Sequence, residues 1–142
     1  IANAAAASFT FPDSTSLVID AGTCITYDLV ENGKIYRGGI ISPGLKMRRQ
    51  AMHEFTANLP LVEGLPNDLL GKSTKDCMLS GSFLGMISEI QGIINSFRER
   101  FTNVQVLITG GDHMALQKHL ESGIFARPYL QLEGLNGLLN YQ

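Results

Sequence analysis

Two short stretches place glycine and a carboxylate at the end of an apolar run: Asp20-Ala21-Gly22-Thr23 and Thr109-Gly110-Gly111-Asp112. The runs that lead into them, SLVID from Ser16 to Asp20 and VQVLIT from Val104 to Thr109, are short and rich in β-branched residues, as buried strands are. Glycine at the carboxyl end of a buried strand lets backbone N–H groups come close to a phosphate, because no Cβ intervenes. A carboxylate facing a polyphosphate is repelled unless a cation or ordered water lies between them, and a threonine hydroxyl can donate to a phosphate oxygen. The pair reads as a nucleotide site with Asp20 suited to a cation. Taken singly, each tetrapeptide also fits a plain chain reversal in which Asp20 caps a local hydrogen bond. Composition and spacing alone support a phosphate-binding α/β domain.

Other groups are weaker. Gly71-Lys72-Ser73-Thr74 looks like the end of a Walker A loop, but that loop needs a glycine five residues before its second glycine, where this chain has Pro66, and no strand precedes it. It also fits a helix start capped by Ser73 or Thr74. Lys46, Arg48 and Arg49 follow Pro43-Gly44 near a helix start, where positive charge opposes the dipole unless an anion is near. A solvated helix face is the simpler reading. His53, His113 and His119 lack ligand spacing and read as surface or packing residues, and Cys24 and Cys77 have no second CxxC or nearby histidine to build a metal site.

The elements that must position these residues can be traced along the chain. An alanine-rich opening reads as a helix in progress, and Phe11-Pro12-Asp13-Ser14 as a turn into the first strand. A second strand covers Ile25–Val30, Glu31-Asn32-Gly33-Lys34 signals a hairpin, and a third strand runs from Ile35 to Ile41. Helices are predicted from about Leu45 to Thr56, with Leu45, Met52 and Phe55 on one face, and from Lys75 to Phe101, with a loop over Asn58–Gly71 between them. After the strand Val104–Thr109 come helices over Met114–Leu120 and Leu130–Tyr141, the last beginning near Glu133 and packed through Leu135, Leu138 and Leu139. Gly81, Gly85, Ser88 and Gly92 clear one stripe of the long helix, either for a second copy or for its own sheet.

The 142 residues, 44% hydrophobic and 17% charged, suit one globular domain rather than a disordered segment. A net charge of −2 leaves no basic excess for nucleic-acid phosphates. No apolar run reaches the roughly 18 residues of a membrane span, and the amino end lacks the positive flank of a signal peptide. With two cysteines the expected compartment is the reducing cytoplasm. The chain opens without methionine inside a helix pattern, so a fragment or excised domain is expected.

Val18-Ile19-Asp20-Ala21-Gly22-Thr23, Gly38-Gly39-Ile40-Ile41-Ser42-Pro43-Gly44, Gly71-Lys72-Ser73-Thr74, Thr109-Gly110-Gly111-Asp112 and Leu132-Glu133-Gly134-Leu135 resemble, in this order, the second half of type III pantothenate kinases. The resemblance covers nearly the whole chain. It implies a ribonuclease-H-like α/β domain of the actin, heat-shock chaperone and sugar-kinase superfamily, with a mixed sheet of three antiparallel strands followed by helices and a further parallel strand. Residues 1–142 would be the carboxyl-terminal half of a two-domain kinase that transfers the ATP γ-phosphoryl group to pantothenate, the first step towards coenzyme A.

By the same resemblance, the catalytic base is the aspartate of a Gly-x-Asp-Arg motif just upstream of Ile1. An Asp-x-Gly-Asn-Thr phosphate loop belongs to the absent half. No catalytic residue is expected in this chain, and alone it should be inactive. The resemblance implies Asp20 as ligand to a monovalent cation (K+ or NH4+), Thr23 with Gly22 as contacts to ATP and its Mg2+, and Thr74 as a contact to pantothenate in the opposite subunit. Gly110, Gly111 and Asp112 fall on the adenosine side. It also implies a homodimer through the Lys75–Phe101 helix, with no nucleic-acid or membrane partner. Two rivals are a non-enzymatic protein like the Bvg accessory factors and a sugar-kinase-like phosphotransferase with another acceptor.

Overall fold

The computed structural model describes residues 2–140. Its strands are β1 (Thr15–Ala21), β2 (Cys24–Glu31), β3 (Ile35–Pro43), β4 (Val104–Thr109) and β5 (Ile124–Ala126), in one sheet of order β3-β2-β1-β4-β5. β2 runs antiparallel to β1 and β3, while β1, β4 and β5 are parallel. This is the expected mixed sheet with one addition: β5, whose Ile-Phe-Ala is too short to carry a periodic signal. The hairpin between β2 and β3 turns on Asn32 and Gly33 at φ 51° and 64°, both left-handed, and the Lys34 N–H closes the turn on Glu31 O at 3.1 Å.

The helices are α1 (Ala2–Thr10), α2 (Leu45–Glu54), α3 (Thr74–Arg100), α4 (His113–Gln117) and α5 (Leu130–Leu139). Because side chains alternate along a strand, β1 presents Leu17 and Ile19 to one face and Val18 and Asp20 to the other. On the first face Phe83, Met86, Ile90 and Ile94 of α3 pack on Leu17, Ile19, Ile25 and Ile108. Each such side chain, fully buried, contributes roughly 1.5–3 kcal/mol. On the second face, Ala6 and Ala7 of α1 meet Val18, Leu107 and Leu130. Asp20 therefore emerges beside α1.

α3 is long and apolar enough to cross a membrane by length and composition alone; in this fold its apolar face is buried on the sheet. The stripe of Gly81, Gly85, Ser88 and Gly92 is exposed, and a Cβ added to any of the three glycines would meet nothing within 4 Å. The reading in which that stripe packs on its own sheet is overturned, since the sheet takes the Phe83 and Ile90 side. Ser73 caps the helix, accepting the Asp76 N–H at 3.1 Å and donating to its carboxylate at 2.6 Å. Gly71-Lys72-Ser73-Thr74 is thus a helix cap.

Three helix readings need correction. Phe55 is 85% exposed because α2 ends at Glu54, which turns the side chain off the face that Leu45 and Met52 share. The helix after β4 is shorter than predicted: His119 N–H bonds to Leu116 O at 2.9 Å, tightening the last turn. α5 begins at Leu130 rather than near Glu133 and packs through Leu130 and Gly134, leaving Leu135, Leu138 and Leu139 exposed. Gly134 lies so close to Ala2 O of α1 that no side chain fits between the helices. The predicted helix ends at Ile1 and Tyr141 lie outside the described residues.

Candidate functional site

Both predicted turns stand at the carboxyl ends of adjacent parallel strands, Asp20 of β1 lying beside Thr109 of β4 and Thr26 of β2. They are joined at Ala21. Its carbonyl accepts the Asp112 N–H at 3.1 Å. Gly110, at φ +92°, lies so close that a Cβ there would sit 2.3 Å from the same oxygen. A third segment closes on the first turn from the start of α2. Gly44 donates its N–H to Thr23 O at 3.0 Å, and a Cβ on it would meet Gly22 O at 2.1 Å. Residues 20–23, 44 and 110–112 form one junction at the end of the sheet.

Within that junction Gly22 spends its own N–H on Cys24 O at 3.0 Å, closing the turn. What it offers a ligand is a bare α-carbon: a Cβ there would find only Cys24 O, at 3.9 Å, and on Gly111 nothing within 4 Å. Thr23 is exposed beside it. The arrangement presents an open, side-chain-free ledge with one hydroxyl and one carboxylate, the shape a polyphosphate needs for close approach.

Asp20 is half-buried, and its Oδ2 accepts from Asn3 Nδ2 of α1 at 2.8 Å. Asn3 is buried, and its Oδ1 has no hydrogen-bond partner. With Thr26, Asp28 and Tyr36, Asn3 lines a hollow of about 340 Å3 on the α1 face, and Asp20 is not among its lining residues. No group of three or more His, Cys, Asp or Glu suited to a metal occurs among the described residues. The Asp20 carboxylate and the orphaned Asn3 Oδ1 are oxygens that could help hold a cation there. Sequence patterns gave no sign of Asn3.

The basic group after Gly44 is not a solvated face. Only Lys46 is exposed; Arg48 pairs with Glu89 of α3, and Arg49 is buried with Nε on Ser82 Oγ at 3.0 Å and Nη2 without a partner. Burial pulls the Arg49 guanidinium below its usual value, against the opposing charges of Asp112 and Glu63. Arg49 and Asp112 line a cleft of about 240 Å3 between α2 and residues 61–64, directly beside the joined turns. Thr74 is exposed at the start of α3, and among the described residues no hydrogen bond links it to either turn. The histidines stay apart: His53 Nδ1 lies 2.7 Å from Leu59 O, His113 Nδ1 lies 2.6 Å from Gly110 O, and His119 packs edge-on against Phe83.

Comparison with known proteins places the chain in a family. The family model described as type III pantothenate kinase matches residues 1–96. The chain belongs to the type III pantothenate kinase family. A type III pantothenate kinase of Christiangramia forsetii is 47% identical over 142 residues, covering 99% of this chain, and one of Flavobacterium psychrophilum is 44% identical over 139 residues, covering 97%. The chain spans 58% of the length of each of these type III pantothenate kinases. A Campylobacter jejuni structure described as a Baf family transcriptional activator superposes at TM-score 0.65 over 94% of this chain and 60% of that one, at 24% identity. A Carboxydothermus hydrogenoformans structure of the ethanolamine utilization protein EutJ superposes at TM-score 0.52 and 14% identity, and the fold is the α/β, actin-like one that the resemblance implied.

Proposed function

We propose that the full-length protein carrying this chain phosphorylates pantothenate with ATP, the reaction for which its family is named, and that residues 1–142 supply the carboxyl-terminal half of the site. The junction of the Asp20–Thr23 and Gly110–Asp112 turns at Ala21 carries the reading. Thr23 donates its hydroxyl to a phosphate oxygen, and the bare ledge at Gly22 and Gly111 lets the nucleotide lie against the backbone. Gly110 and Asp112 hold the adenosine side, next to the cleft that Arg49 lines. Asp20, with Asn3 Oδ1, would hold a monovalent cation, whose charge offsets phosphate repulsion. Thr74 faces pantothenate bound in a second subunit. The base that takes the proton of the pantothenate hydroxyl lies outside this chain, so these residues position and neutralise rather than transfer the proton.

The exposed glycine stripe supports pairing of two copies through α3, since small residues let helices approach closely. Gly85→Leu is expected to leave the full-length protein monomeric in sedimentation experiments; an unchanged dimer excludes that face. The substrates are small and soluble, consistent with a cytoplasmic enzyme that needs neither nucleic acid nor membrane.

The assay is formation of 4′-phosphopantothenate by the full-length protein, followed by mass spectrometry, with ATP, Mg2+ and either K+ or Na+. Product with K+ and little with Na+ is expected. No product with either cation, from a folded protein that binds nucleotide, overturns the assignment of substrate.

A further inference from the structure

Glu89, in the middle of α3, gathers donors from three other elements. Its Oε1 accepts from Ser42 Oγ at 2.5 Å and Tyr27 OH at 3.1 Å, and its Oε2 from Arg48 Nη2 at 2.5 Å. Arg48 in turn gives its Nε to Pro43 O at 2.8 Å. One side chain thus spans the carboxylate and the backbone at the end of β3, and the next residue, Gly44, is the one pressed against Gly22 and Thr23.

We infer that Arg48 and Glu89 are positioning residues for the Gly22–Thr23 turn, holding residues 42–44 so that Gly44 sets where the Thr23 hydroxyl stands. This rests on the reading of that turn as the nucleotide-phosphate contact.

The geometry carries the inference in steps. Gly44 touches the turn through a 3.0 Å hydrogen bond and through backbone contact that leaves no room for a Cβ, so a shift of residues 42–44 must move Thr23. Those residues end an edge strand, β3, held by a strand on one side only: Ser42 and Pro43 pair with Ile25 and Cys24 of β2, and no strand lies beyond them. Beyond that ladder their anchors are Ser42 Oγ and Pro43 O, and both lead to Glu89, one directly and one through Arg48. The guanidinium fork suits this task because it donates from two nitrogens held apart in a fixed plane, whereas an ammonium donates from a single rotating nitrogen.

The charges support it. Arg48 and Glu89 are 20% and 28% exposed in their side chains, so the pair is shielded from most of the solvent. Burial pushes the Glu89 carboxyl up, but the hydrogen bonds from Ser42 and Arg48, with the Arg48 charge and the Tyr27 hydroxyl, outweigh it and hold the group below its usual value. Glu89 is therefore ionised at neutral pH. Burial and then the Glu89 charge push the Tyr27 phenol above its usual range, so it stays a donor.

The test uses the full-length protein with Arg48→Lys and Glu89→Gln, and the double variant Arg48→Met/Glu89→Leu in case a lone buried charge prevents folding. Steady-state kinetics with each substrate varied in turn are paired with titration of a fluorescent ATP analogue. Expected is a rise of roughly tenfold in KM for ATP and in the analogue's dissociation constant, with KM for pantothenate within about twofold of the parent. Arg48→Lys, which keeps the charge, should fail to rescue because its donors sit on one nitrogen instead of two held apart in a rigid plane, as Nε and Nη2 are between Pro43 O and Glu89 Oε2. Unchanged nucleotide affinity in folded variants overturns the inference, and so does an equal rise in both KM values, which signals general loosening. If the unmodified protein binds the analogue but makes no phosphopantothenate, the kinase reading falls while the titration still decides the clamp. If it binds no nucleotide, both fall.

Discussion

Gly110→Ala is expected to destabilise the full-length protein by about 3 kcal/mol or more and to abolish nucleotide binding. Two costs add. At φ +92° an L-residue is strained whatever the space around it. The new Cβ would also lie 2.3 Å from Ala21 O, 2.6 Å from Ala21 C and 2.7 Å from Ala21 N, all backbone atoms of the central strand. β1 is paired with β2 on one side and β4 on the other, so it cannot move aside without breaking ladder bonds. The relief available is for the Gly110–Asp112 turn to swing out, and that breaks the bond from Asp112 N–H to Ala21 O that joins the two turns. Gly111→Ala is the control. One residue further on, with no positive φ and nothing within 4 Å of its Cβ, it should change stability by less than about 0.5 kcal/mol. Denaturant melts of both variants decide the matter: equal midpoints for Gly110→Ala and the parent would falsify the account of a joined turn.

What could be read from the sequence and what could not divides along a physical line. Local signals were sufficient for the four longer strands, the Asn32-Gly33 hairpin and the long helix, predicted over Lys75–Phe101 and found at Thr74–Arg100, because each follows from residue order within its own segment. The turns at Asp20–Thr23 and Thr109–Asp112 were legible for the same reason. Their meeting at Ala21 was not, since it depends on β1 and β4 being neighbours. Arg48 and Arg49 look like a solvated face until α3, more than thirty residues on, presents Glu89 and Ser82 to them. α5 misled in the opposite sense. Its leucines suggest a buried face, but close contact with α1 is made through Gly134, where the absence of a side chain is what matters. Asn3 carried no pattern at all; its significance comes from the Asp20 carboxylate seventeen positions later.

Asp20→Asn should remove K+ dependence and lower kcat/KM of the full-length protein by roughly a hundredfold. The substitution preserves shape, and the variant's carbonyl oxygen can still accept from Asn3 Nδ2, so the α1–β1 contact at 2.8 Å survives in outline. What is lost is the negative charge at the end of β1, between Thr26 and Thr109, which gives a cation a reason to sit beside a phosphate ledge. A neutral pair of amides leaves only dipoles to hold the ion, far weaker than a carboxylate in a half-buried position. Activity alone would not separate loss of the ion from distortion of the turn, so thermal stability in K+ against Na+ is the second readout. The unmodified protein should melt higher in K+ than in Na+ at equal ionic strength, and the Asp20→Asn variant should melt at the same temperature in both. A variant that keeps both its K+-specific stabilisation and its K+-dependent rate places the ion elsewhere and leaves Asp20 as the hydrogen-bond anchor of α1.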